Sequence, residues 1–303
     1  MLAVQDNHQK MKVLHKPQFR FALIVLLPIL AWYFLFAFRP LAQAFRIALV
    51  DYQLMDPTNS PWVGLVHFKT ILTSYKLFYK ASINTAIYSV MINVGTVPLA
   101  ILFAYALTNI KRGKGVYQWA LFLPVVVSMS AVALLWRFMM DQQGIFNHVL
   151  ISIGLPPSKW LAGPLTALPS IALVTLWKGL GGNIVLFAAG MLSIPIELYD
   201  AARVDGANAW QSFWKITLPL LNHITKLVII LVTISSLQAY TSAIILTGGG
   251  PARRTFLISQ FIVEEAFSQF RFGLASAAAF VLFTVILAIT LLQLRMMRTE
   301  WEY

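Results

Sequence analysis

The feature of this sequence that most constrains its fold is a series of apolar segments long enough to cross a membrane. A helix that spans the hydrocarbon core needs about 20 predominantly apolar residues, because each residue advances ~1.5 Å through a core ~30 Å thick. Six segments meet this requirement, at residues 21–38, 83–107, 119–138, 168–192, 224–246 and 275–294. The sequence therefore predicts an all-α, polytopic membrane protein with six transmembrane helices.

The composition agrees with a membrane protein. Hydrophobic residues make up 59% of the 303 residues and charged residues 11%, whereas soluble domains have roughly 45–50% and 25%. The net charge of +12 is explained by loops that face anionic lipid, so we expect membrane lipid and no nucleic acid as a partner. The absence of cysteine excludes disulfides, thiolate metal sites and cysteine nucleophiles, and leaves the redox compartment undetermined.

The first segment and the positive charges indicate how the chain crosses the membrane. Segment 21–38 is longer than the apolar part of a signal peptide and no small-residue cleavage site follows it, so we expect it to be retained. An even number of spans places both termini on one side. Lys and Arg are denser on that side, most clearly at Lys111, Arg112 and Lys114, and the positive-inside rule therefore predicts cytoplasmic termini.

Several kinds of chemistry are missing from the sequence. All 11 acidic residues lie outside the six segments, whereas an ion-coupled carrier normally keeps an acid at membrane depth. The five histidines are scattered and form no HExxH motif, and no GxxxxGK[ST] phosphate loop occurs. We therefore expect no metal site and no nucleotide hydrolysis by this chain, so any uphill transport must take its energy from another polypeptide.

The segment 195–219 is too structured for a simple connection between spans. Pro195 suits the first turn of a helix, Asp200 adds negative charge near its positive end, and Gly206 offers a stop. Trp210 and Phe213 then follow at helical spacing. From the residues alone, the segment is either a helix in the lipid headgroups or a helix that docks onto another protein.

The same segment resembles a known signature. Asp200-Ala201-Ala202, three further residues, Gly206 and then Ile216-Thr217-Leu218-Pro219 are similar to the EAA motif of ABC-importer membrane subunits. The motif is reinforced elsewhere by Gly190 to Pro195, Leu246 to Pro251, and Trp136-Arg137 with Gly144 and Asn147. Together these residues resemble the carbohydrate-uptake branch of that family, which is similar to the maltose and glycerol-3-phosphate permeases.

The resemblance implies a coupling helix and several partners. In that family the 195–219 loop docks into a cleft on a cytoplasmic ATPase, and here the residues implied are Asp200, Ala201, Ala202, Gly206, Trp210 and Phe213; Asp200 stands where the family more often has Glu. The implied partners are a paralogous six-helix permease, two cytoplasmic ATPase subunits and an extracytoplasmic solute-binding protein. ATP and magnesium are expected on the ATPase subunits, with no cofactor on this chain, and the location is the bacterial cytoplasmic (inner) membrane.

Two clusters of residues are candidates for a substrate pathway. The fourth segment contains Trp177-Lys178-Gly179 and Asn183, and an intramembrane charge is a functional candidate by default. In the resembling permeases the fifth helix lines the substrate site, which here would present Ser235, Ser236, Gln238 and Tyr240. The alternatives are close helix packing by the small residues and serine hydrogen bonds to their own helix backbone.

Glycines and prolines within the spans predict local breaks. Pro98 and Pro124 are expected to interrupt the second and third spans, and the three glycines between residues 179 and 182 to loosen the fourth. We expect residues 1–82 to form a cytoplasmic tail, the first helix and a long outer segment, residues 83–296 a five-helix permease core, and residues 297–303 a cytoplasmic tail. The chain is then a non-enzymatic importer subunit that forms half of a pathway for a carbohydrate, and we expect a di- or oligosaccharide. The alternative is an ATPase-independent membrane enzyme or scaffold.

Overall fold

The computed structural model describes residues 17–110 and 112–296; Lys111, most of the N-terminal tail and the predicted tail 297–303 lie outside the described residues. The first helices are α1 (Pro17–Tyr33), α2 (Arg39–Ala48), α3 (Val66–Thr73), α4 (Lys76–Asn109), α5 (Lys114–Val126), α6 (Met129–Met139) and α7 (Ile145–Ser152). The later helices are α8 (Ala167–Leu192), α9 (Ile196–Val204), α10 (Ala209–Ser212), α11 (Leu218–Leu220), α12 (Asn222–Leu237), α13 (Thr241–Thr247), α14 (Ile258–Val263) and α15 (Phe272–Met296).

Short irregular turns connect some of these helices. π-helical turns at Phe34–Phe38 and Phe213–Thr217 join α1 to α2 and α10 to α11, and a third, Glu264–Ser268, extends α14. Within the described residues the only β pairing is an isolated antiparallel bridge between Val50 and Trp62. The all-α prediction is therefore confirmed.

The long apolar helices are compatible with six membrane crossings. Four are long and apolar enough to cross alone: Ile24–Ala48, Lys76–Asn109, Ala167–Leu192 and Phe272–Met296. Two bent pairs bring the number to six if each pair is one span: Lys114–Val126 with Met129–Met139, and Ala209–Leu220 with Asn222–Leu237. The long helix α4 begins at Lys76, before the boundary predicted at residues 82 and 83.

The predicted third span is bent by 99°, so residues 119–138 do not form one straight helix. Helix α5 ends at Val126, and Val127 takes an extended conformation with ψ 142°. The Ser128 hydroxyl then accepts a hydrogen bond from the Ala131 N–H and caps the start of α6. Pro124 lies inside α5, so the break comes two residues after the proline that predicted it.

The predicted breaks in the second and fourth spans are wrong. Helix α4 runs through Pro98, and α8 runs through all three glycines, without interruption. A Cβ atom at Gly181 would overlap the backbone carbonyl oxygen of Leu121 on α5. This glycine therefore permits close approach of two helices, which was the packing alternative.

The predicted fifth span is also interrupted. Helix α12 ends at Leu237 and α13 begins at Thr241, so residues 224–246 are two helices joined by Gln238, Ala239 and Tyr240. The short α13 packs against α6 and α8, whereas α12 packs mainly against α4. Helix α8 contacts both halves of this segment, but their main partners differ: α4 for α12 and α6 for α13.

The core is centred on the α4 and α8 pair. Tyr88 on α4, Ile171 and Phe187 on α8 and Val228 on α12 are fully buried in one continuous cluster. Hydrogen bonds between helices support this packing: the Tyr88 hydroxyl donates to the Thr175 hydroxyl at 2.8 Å, and the hydroxyls of Ser89 and Ser236 lie 2.7 Å apart. Such bonds satisfy polar groups that lipid cannot solvate.

A polar cluster connects the start of α4 to the residues between α14 and α15. It lies on the side of the protein opposite segment 195–219. The Tyr75 hydroxyl donates to Glu265 Oε1 at 2.6 Å, and Arg271 Nη1 lies 3.7 Å from Glu265 Oε2. Burial raises the pKa of the Tyr75 hydroxyl, and the hydrogen bond to Glu265 raises it further. The Asn84 amide holds the nearby loop by donating to the carbonyls of Arg253 and Phe256.

Candidate functional site

The segment 195–219 forms two short helices with a glycine turn between them. Glu197 lies in the first turn of α9 and Arg203 in its last turn, which complements the helix dipole. The helix ends where Gly206 adopts φ +79° and its N–H donates to the Arg203 carbonyl at 3.1 Å. Nothing lies within 4 Å of the position of a Cβ at Gly206, so the turn requires glycine for its backbone conformation.

The second helix begins with a capping box. The Asn208 side chain accepts from the Gln211 N–H, and the Gln211 side chain accepts from the Asn208 N–H, both at 2.8 Å. The chain then passes through the π-helical turn at Phe213–Thr217 and reaches Pro219. The stop and restart predicted at Gly206 are thus present in the fold.

Two contacts attach this segment to the membrane helices and to itself. The Phe213 ring packs edge-on against Tyr105 near the end of α4, with centroids 4.7 Å apart. The hydroxyls of Tyr199 on α9 and Thr217 lie 2.9 Å apart, and Thr217 is buried. Sequence reasoning identified Phe213 but missed Tyr105 and Tyr199, because their pairing depends on residues that are distant in the chain.

The outward face of the segment remains uncovered. Val204 is 88% exposed and Trp210 69% exposed, and Asp200, Ala201 and Gly206 are also exposed. Asp200 and Arg203 form an exposed ion pair at 3.0 Å, which contributes little to stability at such a site. Exposed apolar side chains beside charged ones are typical of an interaction surface.

The predicted pathway residues on α8 lie at its middle. Lys178 is half-buried, and its Nζ lies 3.5 Å from the Val125 carbonyl oxygen in the last turn of α5. The last carbonyls of a helix have no hydrogen-bond partner within the helix and attract cations. Because α5 ends at the bend, the Val125 carbonyl is free to accept from Lys178. Gly179 is exposed, and the Asn183 amide donates to the Gly179 carbonyl at 2.9 Å.

The four predicted residues of the fifth segment do not share one environment. Ser235 and Gln238 are exposed and Tyr240 is half-buried. The Ser235 hydroxyl donates to the Val232 carbonyl of its own helix, as the structural alternative expected. Ser236 is 3% exposed and bonds to Ser89 on α4, so its hydroxyl serves helix packing.

An aromatic group connects the outer loop to α8. The rings of Trp136 and Trp177 have centroids 5.3 Å apart, and Phe146 lies between Trp136 and Trp160. Asn147 is almost fully buried beneath them and accepts a hydrogen bond from the Trp160 indole N–H at 2.9 Å. The motif residues Trp136 and Asn147 therefore build the loop beside the candidate pathway.

Among residues 17–110 and 112–296, no group of three or more His, Asp or Glu side chains is arranged to hold a metal ion.

Comparison with known proteins links these features to a transport family. The family described as "Binding-protein-dependent transport system inner membrane component" matches residues 78–298. The "Probable ABC transporter permease protein YesP" of Bacillus subtilis is 31% identical over 272 residues, which cover 88% of this chain and 86% of that protein. The "Trehalose/maltose transport system permease protein MalF" of Thermococcus litoralis is 30% identical over 294 residues, which cover 97% of this chain and 98% of that protein.

Solved structures agree with the same assignment. A chain from a bacterial ABC transporter that imports the acidic polysaccharide alginate matches with a TM-score of 0.83 and 25% identity, over 97% of this chain and 100% of that one. A second match is a chain from a bacterial alginate ABC transporter in complex with an alginate pentasaccharide-bound periplasmic protein. Its TM-score is 0.81 at 26% identity, and the match covers 95% of this chain and 96% of that one.

Proposed function

Because this chain belongs to the inner membrane components of binding-protein-dependent transport systems, we propose that it forms half of a translocation pathway for a carbohydrate. It is a permease subunit of an ABC importer and not an enzyme. The carbohydrate assignment is supported by the trehalose/maltose permease and the alginate transporters to which it is similar. A di- or oligosaccharide is the substrate we expect.

The observation that carries the coupling proposal is the exposed face of segment 195–219. Asp200, Ala201, Ala202, Gly206 and Trp210 would contact an ATPase subunit, while Phe213 holds the segment against Tyr105. A docked ATPase would cover Val204 and Trp210, which the described chain leaves exposed. Movement of the ATPase would then reach α4 through Phe213.

The pathway proposal keeps most of the residues suggested by the sequence. Lys178, Gly179 and Asn183 of α8 would line it together with Ser235, Gln238 and Tyr240 of the interrupted fifth segment. Their hydroxyl, amide and ammonium groups can exchange hydrogen bonds with the hydroxyls of a sugar. Ser236 is not included, because its side chain is buried between α12 and α4.

The proposed assembly contains a second, paralogous permease, two cytoplasmic ATPase subunits that bind ATP and magnesium, and an extracytoplasmic solute-binding protein. This chain would bind no cofactor. Both termini would face the cytoplasm, on the same side as segment 195–219. The described chain has six crossings if α5 and α6 together form one span and the segment from α12 onwards forms another, and this even number supports the shared side.

Co-purification and transport test this proposal together. The tagged chain, expressed with the ATPase and permease genes adjacent to its own gene, should retain both proteins through purification in mild detergent. Proteoliposomes of that complex should take up ¹⁴C-labelled oligosaccharide only with ATP inside and the binding protein outside. A chain that never retains an ATPase would support the alternative of an independent membrane enzyme or scaffold.

A further inference from the structure

The end of the protein opposite segment 195–219 contains a polar cavity that the proposed pathway residues do not include. Its volume is about 560 Å³, and it lies between the loop after α6 and the C-terminal end of α13. Its polar walls include Arg137, Gln142, Gln143, Lys159 and Thr247. A cavity of this size falls within the range of small-molecule sites, about 300–1,000 Å³.

Two cations, Arg137 and Lys159, and one acid, Asp141, line this cavity, so its walls carry a net positive charge. Arg137 Nη1 donates to the Ile245 carbonyl at 3.3 Å, which fixes the side chain and leaves the other guanidinium N–H groups available. Within the described residues, no carboxylate lies within salt-bridge distance of Arg137 or Lys159. The one acid in the wall, Asp141, accepts the Gln143 N–H at 3.0 Å.

An aromatic contact links the helix that carries Arg137 to the helix that carries Lys178. Arg137 directly follows Trp136, whose ring packs against Trp177 at 5.3 Å. Trp177 in turn precedes Lys178, the cation in the middle of α8. The cavity wall at Arg137 is therefore joined, through this aromatic pair, to the part of α8 that carries Lys178.

We propose that this cavity is an entry site for an acidic saccharide, a sugar that carries a carboxylate. The planar guanidinium of Arg137 can bind a carboxylate through two parallel hydrogen bonds, and Lys159 adds a second positive charge. Gln142, Gln143 and Thr247 supply the amide and hydroxyl groups that sugar hydroxyls require. This inference rests on the proposed import function and narrows its substrate from carbohydrates in general to anionic ones.

A competing occupant is an acidic side chain of a docked binding protein. The cavity favours the saccharide, because a single carboxylate side chain would fill only a small part of 560 Å³. The amide-rich wall also offers more hydrogen bonds than one carboxylate can use.

The natural absence of cysteine allows the charge of the cavity to be measured directly. In the purified chain in lipid nanodiscs, a cysteine from Gln143→Cys is labelled with an anionic or a cationic methanethiosulfonate reagent. Relative to Leu65→Cys, an exposed reference site, the anionic reagent should react at least fivefold faster than the cationic one. The preference should disappear when Arg137→Gln and Lys159→Gln are added, and a preference unchanged by these substitutions overturns the proposal.

Protection from a neutral maleimide identifies the ligand class. Tri-galacturonate should slow labelling of the Gln143→Cys chain at least threefold, whereas maltotriose, a neutral trisaccharide, should not; the Arg137→Gln and Lys159→Gln changes should remove the effect. Equal protection by both sugars, or by neither, contradicts an acidic saccharide site. Protection only by the sugar-free binding protein would assign the cavity to an acidic side chain. No ATPase is present in this assay, so its failure is distinguishable from failure of the import proposal.

Discussion

At the scale of single residues, Gly181 sets the distance between α5 and α8. An added Cβ would overlap the Leu121 carbonyl, whereas nothing lies within 4 Å of a Cβ placed at Gly182. Gly181→Ala should therefore lower the free energy of unfolding by about 1–3 kcal/mol, as overpacking does at other sites. Gly182→Ala should change the free energy of unfolding little. Thermal melting of the two variants in the same detergent checks this, and equal melting temperatures would show that α5 can yield.

Lys178 tests the residue-level part of the pathway proposal. Lys178→Met removes a charge from membrane depth, so the variant should insert normally. It should nevertheless reduce ATP-driven uptake at least tenfold if the ammonium group faces the solute. Lys69→Met, on α3 outside the spans, is the matched control. Uptake kinetics equal to those of the unmodified protein would exclude Lys178 from the pathway.

The same residues show what a single sequence can and cannot reveal. It identified Gly181 and Lys178 as unusual, because three glycines and a charge within an apolar segment are visible without coordinates. It could not show that Gly181 faces the Leu121 carbonyl, or that the Lys178 Nζ lies 3.5 Å from the Val125 carbonyl. Both partners lie more than 50 positions away and depend on how α5 is bent.

At the scale of elements, the glycine turn holds the two short helices of segment 195–219 in their relative orientation. A β-branched residue strongly disfavours the φ of +79° found at Gly206, at a cost of about 1–2 kcal/mol, whereas asparagine tolerates it. Gly206→Val should therefore uncouple ATP hydrolysis from uptake while the protein still inserts. Gly206→Asn should keep at least half of the uptake.

The ratio of sugar taken up to ATP hydrolysed is the measurement that separates these variants. Because Gly206 is exposed and has no close neighbours, a lower ratio in the valine variant cannot be attributed to a disrupted core. An unchanged ratio in Gly206→Val would contradict the coupling role of this turn.

The elements themselves were predicted unequally. Apolar length alone located the four helices that can span unaided, because burial in lipid needs no specific partner. Apolar length did not locate the 99° bend at Val127 and Ser128 or the interruption at Gln238 to Tyr240. Those breaks depend on a serine cap and on the different main packing partners of α12 and α13, neither of which hydropathy reports.

At the scale of the whole molecule, the first membrane-spanning helix, Ile24–Ala48, has little contact with the rest of the described chain. The most apolar window of Ile24–Ala48 has no buried residue, and Leu30 and Phe34 are at least 60% exposed. Its C-terminal part contacts the core, where Phe45 on α2 packs against Phe280 with centroids 5.0 Å apart. We expect this helix to pack against the second permease.

A photo-reactive amino acid tests that arrangement. Placed at Leu30, benzoyl-phenylalanine should cross-link to the second permease in membranes that contain the complete complex. Placed at Leu155 in the loop before α8, it should not. Adducts with lipid alone at position 30 would show that the first helix lies free in the bilayer.

Cross-linking at Ala202 tests most directly whether segment 195–219 of this chain contacts an ATPase. Benzoyl-phenylalanine at position 202 should yield an adduct with the ATPase subunit in membranes, and ATP with magnesium should change its yield at least twofold. The same group at Thr58, in the predicted outer segment, should give none. If position 202 reacts only with lipid in membranes where the ATPase is present, segment 195–219 does not dock onto the ATPase.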